Sequence, residues 1–337
     1  MKSIDNNNPQ IANFKSLILQ NLQETLLNDG DTEVQSIINH LLSRQGKLFR
    51  PVLVYLSANI HQVDKDRVLK TAMASELIHL ASLVHDDIID NSDYRRGKQT
   101  VNYYWGNKSA VLVGDYLFSK AFSILAMIDS PKIMALFTDA ISKMCQGELI
   151  QLNNAFKSGI SREIYFKVIE YKTAALLAAC CESGAILSSG NGKSCKSAAA
   201  LKNYGLHLGR AYQIIDDVMD YTVPMGSSEK PRGKDLTEGI ITLPVILLME
   251  KNELTGQELE EFWQAGPTPN QFSLLVRDLN NNRCITEALR IAEHELNLAN
   301  QYLTQISGEY SELDVLFSMK SQLLQRVNKL QSVTAEI

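Results

Sequence analysis

The sequence predicts an all-α protein, one domain of roughly a dozen helices, and three observations predict it. Apolar residues recur at i, i+3, i+4 and i+7 over long stretches. Alternating period-2 runs are nearly absent. Proline is scarce, with eight in 337 residues, so few positions interrupt a helix.

The elements follow in order. The first ten residues are polar and are expected to be disordered, leaving a domain over 11–337. Helical periodicity covers Ile11–Leu27, Val34–Leu42, Ala72–Ile89, Ala110–Ile128, Lys132–Gln151, Glu163–Ser188, Ala198–Val218, Leu243–Glu250 and Asn282–Gln305. The breaks are short: Gly97-Lys98-Gln99, Gly190-Asn191-Gly192-Lys193 and Met225-Gly226-Ser227-Ser228. None is long enough to act as a linker between domains.

With 45% apolar and 21% charged residues the chain has ample material for a core and is not of disordered composition. A net charge of −5 argues against generic nucleic-acid binding, which needs a basic surface. The five cysteines (Cys145, Cys180, Cys181, Cys195 and Cys284) form no CxxC pair or Cys/His ligand spacing. They read as reduced, buried small residues of a cytosolic protein. No signal peptide is legible, and no apolar stretch reaches the ~20 residues that span a bilayer. The expected location is cytoplasmic, with peripheral membrane contact left open.

Two acidic clusters repeat one pattern: Asp86-Asp87-Ile88-Ile89-Asp90 and Asp216-Asp217-Val218-Met219-Asp220. On a helix the first and fifth acids share a face, where like charges cost a few tenths of a kcal/mol, so the clusters call for a cation. Acids on a helix are most often a solvated face. Here the flanks are apolar (Leu83, Val84 and Ile88; Ile214, Ile215 and Val218), which sets the acids on largely buried helices. Mg²⁺ takes one or two carboxylates plus substrate phosphates, and buried carboxylates need such a partner. Bases accompany the acids: Lys47 and Arg50; Arg95 and Arg96; Lys230, Arg232 and Lys234. Arginine forks onto phosphate oxygens, so acids for metal beside bases for phosphate point to diphosphate chemistry.

An ordered series of motifs from Gly46 to Pro244 resembles the trans-isoprenyl diphosphate synthases, the polyprenyl synthetase family. It runs through Gly46-Lys47-Leu48-Phe49-Arg50-Pro51 and Glu76-Leu77-Ile78-His79 into His85-Asp86-Asp87. Arg95-Arg96-Gly97, Gly114-Asp115, Gly147-Glu148, Lys172-Thr173, Tyr212-Gln213 and Gly233-Lys234-Asp235 complete it. The resemblance implies mostly antiparallel helices around a deep central cavity (the isoprenoid synthase fold) and a homodimer. It implies about three Mg²⁺ ions held by Asp86, Asp87, Asp90, Asp216, Asp217 and Asp220. Arg95, Lys172, Thr173, Gln213 and Lys230 would contact the allylic diphosphate, farnesyl or geranylgeranyl. Lys47, Arg50, His79 and Arg96 would grip isopentenyl diphosphate, although a lone histidine such as His79 more often satisfies a core carbonyl. Asp86, Asp87, Asp90, Arg95, Lys172 and Asp216 would carry catalysis.

Two positions depart from the family pattern. Ile240 stands where a lysine is usual before Thr242-Leu243-Pro244, and Leu48 where an arginine is common. The departures resemble catalytic subunits of bacterial heptaprenyl diphosphate synthases, which implies a heterodimer with a small regulatory subunit as the alternative to a homodimer.

In short-chain members of the family an aromatic residue about one turn before the first aspartate stops chain growth. Here Ala81 and Ser82 lie there, 6–7.5 Å along the axis at about 1.5 Å per residue, and Ile78, Ser75 and Ala74 lead deeper. A tunnel open past the first turn predicts a product of about C30 or longer, of a length suited to a quinone side chain. Small residues that only let helices pack closely are the plain alternative. Two rival functions are a class I terpene cyclase and one subunit of a heterodimeric synthase inactive alone. A non-catalytic regulatory subunit is disfavoured, because both aspartate motifs are intact.

Overall fold

The structure, a computed structural model, describes residues 8–28, 31–43, 46–60, 63–95, 97–188, 194–222, 233–306, 308 and 310–334. The all-α expectation holds. Helices run α1 Pro9–Leu27, α2 Thr32–Leu42, α3 Phe49–Ala58 and α4 Lys65–Ile89. The two-residue strands β1 Tyr94–Arg95 and β2 Lys98–Gln99 follow, then α5 Val101–Ala126, α6 Pro131–Asn154 and α7 Arg162–Ile169. A π-helical turn, Glu170–Ala174, joins α7 to α8 Ala175–Leu187, and α9 spans Ser194–Thr222. The rest is α10 Lys234–Thr237, α11 Leu243–Glu250, α12 Gly256–Ala265, α13 Pro269–Asn281, α14 Cys284–Leu303 and α15 Ser311–Thr334.

The described chain groups into two compact units. One comprises Met1–Ile141, Ala179–Lys202 and Gly308–Val315; the other comprises Ser142–Ala178, Asn203–Ser307 and Leu316–Ile337.

In the first unit α4 is the axis. Asp64 caps its start by accepting from the Asp66 and Arg67 amides. Thr71 through Ile78 are buried on every side, so this stretch is a core helix rather than an amphipathic one. The helix ends where Asn91 takes a positive φ of 45°. α3 packs close to α8 because Gly184 leaves no room for a Cβ, which would lie 2.6 Å from the Val54 carbonyl oxygen. β1 and β2 pair antiparallel, Tyr94 with Gln99 and Arg95 with Lys98, and Gly97 turns the hairpin at φ 74°.

In the second unit α7, the π turn and the first residues of α8 run beside α9. Gly209 and Gly205 permit close approach, since a Cβ on Gly209 would meet the Ala174 Cα at 2.5 Å. Tyr204 reaches α15 by donating to the Leu316 carbonyl oxygen at 3.0 Å. α12 and α13 each begin with a capping box, at Thr255 and Thr268.

Several expectations are corrected. α1 begins at Pro9, capped by Asn8, so residues 8–10 are ordered where disorder was expected; residues 1–7 lie outside the described ones. Cys145 is exposed, while Cys180, Cys181 and Cys284 are buried. α5 is long and apolar enough, by length and composition, to cross a bilayer, contrary to the sequence reading. It nevertheless carries Lys108, Asp115 and Lys120, breaks its helical path at Gly106 (φ 76°), and packs on α4. The turns at 190–193 and 225–228 lie outside the described residues.

Candidate active site

In the first unit the residues singled out by motif converge on α4. A pocket is lined by Gly46 before α3, by Glu76, His79, Leu83 and Asp87 on α4, and by Arg95 on the hairpin. Arg95 donates from Nε to Asp87 Oδ1 at 2.6 Å, so the hairpin is pinned to the aspartate cluster. Arg50 is the second residue of α3 and is half-buried; Lys47 is exposed. Leu48, the departure from the expected arginine, is buried in the left-handed region (φ 50°). Its side chain joins the core, so a cation is lost from the N-terminus of α3.

His85 finds its place on α5. A Cβ at Gly114 would lie 2.0 Å from His85 Nε2, so the imidazole fills the notch that glycine leaves. Its Nε2 is 3.2 Å from the Val111 carbonyl oxygen and 3.7 Å from Asp115 Oδ1. The Gly114-Asp115 motif therefore serves the residue before Asp86.

On the turns of α4 before Asp86, Ala74, Ser75, Ile78 and Ala81 are each fully buried, and of the five positions expected to set product length only Ser82 keeps partial exposure. The Ser82 hydroxyl donates to the His79 carbonyl oxygen at 2.9 Å.

In the second unit Lys172 and Thr173 ride on the π turn, a geometry that shifts side chains by a fraction of a turn and recurs at functional sites. Lys172 Nζ lies 2.6 Å from Glu148 Oε2, and Gly147 allows this approach. Thr173 donates to Gln213 Oε1 at 2.7 Å, and Gln213 Nε2 donates to Asp217 Oδ1 at 2.8 Å. Tyr165 donates to the other oxygen, Asp217 Oδ2, at 2.6 Å. Arg210 pairs with Glu170 and approaches Glu295, which also accepts from His207. Burial pushes the Asp217 carboxyl up to about 8, and Asp235 adds to the rise, while the bonds from Tyr165 and Gln213 oppose it.

The two clusters share an arrangement. The first and fifth acids, Asp86 with Asp90 and Asp216 with Asp220, reach solvent to some degree. The second, Asp87 or Asp217, turns inward and is held by a protein donor. Asp220 Oδ2 also accepts from the Asp235 amide at 3.2 Å, which ties the Gly233–Asp235 loop to the cluster. Among the described residues no three acidic, histidine or cysteine side chains converge on one point. Outward carboxylates one turn apart still fit Mg²⁺, which completes its shell with waters and phosphate oxygens.

At the position of the missing lysine, the Ile240 amide donates to the Asp235 carbonyl oxygen at 2.8 Å. Lys234 lies 3.3 Å from Glu238, so its charge is partly offset. Arg96 and Lys230 lie outside the described residues. The sequence reading missed Tyr165, Glu148 as the partner of Lys172, and Arg210. Tyr165 sits in an apolar periodic run and reads as core, so no local signal marks it.

Known proteins match this chain along most of its length. The family model described as polyprenyl synthetase covers residues 31–273. A prenyl transferase of Synechocystis is 36% identical over 79% of this chain and 81% of its own. Heptaprenyl diphosphate synthase component 2 of Bacillus subtilis is 34% identical over 79% of this chain and 75% of its own. The crystal structure of heptaprenyl diphosphate synthase from Staphylococcus aureus superposes with a TM-score of 0.85 at 31% identity, covering 93% of this chain and 97% of that one. The chain belongs to the polyprenyl synthetase family, a family of prenyltransferases.

Proposed function

We propose that the chain is a long-chain trans-polyprenyl diphosphate synthase. It would condense isopentenyl diphosphate head-to-tail with an allylic diphosphate, in the presence of Mg²⁺, to a product of about C30 or longer. The observation that carries the reading is the α4 pocket, where His79, Asp87 and Arg95 meet beside Gly46. A terpene cyclase needs no second diphosphate site, whereas this chain offers two basic sets. Lys47, Arg50, His79 and Arg96 would hold isopentenyl diphosphate; Arg95, Lys172, Thr173, Gln213 and Lys230 would hold the allylic partner.

Asp86 and Asp90 are the outward acids for metal on the first cluster, with Asp87 beside them; Asp216 and Asp220 are those of the second. Bound Mg²⁺ would neutralise the charge that develops on the leaving diphosphate. As the allylic C–O bond breaks, a cationic side chain such as Arg95 would stabilise the departing oxygens. The double bond of isopentenyl diphosphate attacks the allylic carbon, and the departed diphosphate takes the proton lost from the new chain. No protein base is then needed. Apolar side chains such as Leu83 and Val84 exclude water that would quench the cation.

A relative named as component 2 of a heptaprenyl synthase supports a second subunit as partner, with a homodimer as the alternative. One assay tests the reading: purified chain, Mg²⁺, farnesyl diphosphate and labelled isopentenyl diphosphate, with products separated by length. Long prenyl diphosphates support it. A hydrocarbon without isopentenyl incorporation would establish a cyclase instead.

A further inference from the structure

We infer that Tyr165 is a positioning residue for the allylic diphosphate, acting through Asp217 on Gln213. The inference rests on the synthase reading above. Tyr165 is only 2% exposed, so it does not touch substrate itself. Its hydroxyl starts a chain of three short hydrogen bonds: Tyr165 to Asp217 at 2.6 Å, Gln213 to Asp217 at 2.8 Å, and Thr173 to Gln213 at 2.7 Å. The chain ends on the π turn, next to Lys172.

Each link fixes the next. A glutamine amide has two interchangeable-looking ends, one that donates and one that accepts. Asp217 Oδ1 accepts from Gln213 at 2.8 Å, whether the carboxyl is ionised or carries its proton on Oδ2 toward Tyr165, so the Gln213 NH₂ must point at it. The second N–H of that NH₂ is then aimed in a single direction, and Gln213 Oε1 is left to receive the Thr173 hydroxyl. Tyr165 holds Asp217 from the opposite side, where no other hydrogen-bond donor to Oδ2 is found among the described residues. Without it the carboxyl group can rotate about its Cβ–Cγ bond, and the aim of Gln213 is lost. On this view Asp217 orients protein donors, while the outward Asp216 and Asp220 are its metal-facing neighbours. Asp87 has the same inward place in the first cluster, with Arg95 in the role of Tyr165.

The test is calorimetric titration of the full chain with farnesyl thiolodiphosphate, an unreactive allylic analogue, at saturating Mg²⁺. Isopentenyl diphosphate is titrated in parallel. Tyr165→Phe is expected to weaken analogue binding about tenfold and to leave isopentenyl diphosphate affinity within about twofold. Gln213→Ala should weaken the analogue by at least as much, and adding Tyr165→Phe to it should cause no further loss. Unchanged analogue affinity in Tyr165→Phe, equal loss for both ligands, or full additivity with Gln213→Ala would each overturn the inference. If Tyr165→Phe does not fold, Asp217→Asn decides. It turns an NH₂ toward Gln213, so the same loss is expected with the Mg²⁺ half-saturation unchanged. A raised Mg²⁺ requirement would instead make Asp217 a metal ligand. Wild-type chain that binds isopentenyl diphosphate and not the analogue would remove the synthase reading and this inference together.

Discussion

At the residue scale, the chemistry turns on how carboxylates in one motif receive different environments. Asp217 is pushed up to about 8 chiefly by burial, against an ordinary value of 3.8. Its native form therefore holds a proton that the unfolded chain has already released between those values. Stability from this group is present at low pH and is lost as pH rises through about 8. The melting temperature of metal-free protein should fall from pH 5 to pH 8, and Asp217→Asn should flatten that slope. Arg95 is the second test at this scale. It reaches Asp87 through Nε, and a lysine has neither that N–H nor the planar fork. Arg95→Lys should lower kcat/KM for the allylic substrate by roughly 10- to 100-fold, in line with ~1.5–3 kcal/mol for a charge-assisted bond.

At the element scale, α4 and α9 were legible because long apolar periodicity surrounds acids that no core tolerates unpaired. Other elements were not. α3 is only ten residues long and nearly all apolar, so its period cannot be read, and the proline at its start resembles a break. α12 and α13 are short and polar enough to pass as loops, although both carry capping-box residues. The π turn at Glu170–Ala174 leaves no trace in the sequence, since one inserted residue barely disturbs a helical apolar pattern. Its support comes from glycine: Gly209 meets the Ala174 Cα, a backbone atom that cannot swing aside. Gly209→Ala should cost about 2–3 kcal/mol in urea unfolding, as overpacking does, because helix must move from helix.

At the scale of the whole molecule, the all-α class was readable from helical periodicity and scarce proline, and the family from motif order, because each motif carries a chemical requirement at a fixed place along the chain. The proposed product-length wall was only half readable. Sequence marks Ala81 and Ser82 alike, yet Ala81 is fully covered and Ser82 alone keeps exposure. A bulky residue at Ala81 must displace its neighbours, whereas one at the partly exposed Ser82 displaces fewer. Ser82→Phe should therefore shorten the product from about C30 or longer to about C15–C20, read by chromatography of the dephosphorylated alcohols, with the first condensation rate little changed. Unaltered lengths would place the limit on another wall.

On the proposed function, the two outward acid pairs make this chain a Mg²⁺-dependent elongating enzyme. The most direct measurement is incorporation of labelled isopentenyl diphosphate onto farnesyl diphosphate by wild type, Asp86→Ala and Asp216→Ala, with Mg²⁺ and with EDTA. Long prenyl diphosphates are expected from wild type with Mg²⁺ only, with losses of at least about a thousandfold in both variants. Equal incorporation in EDTA, or undiminished rates in either variant, would contradict it.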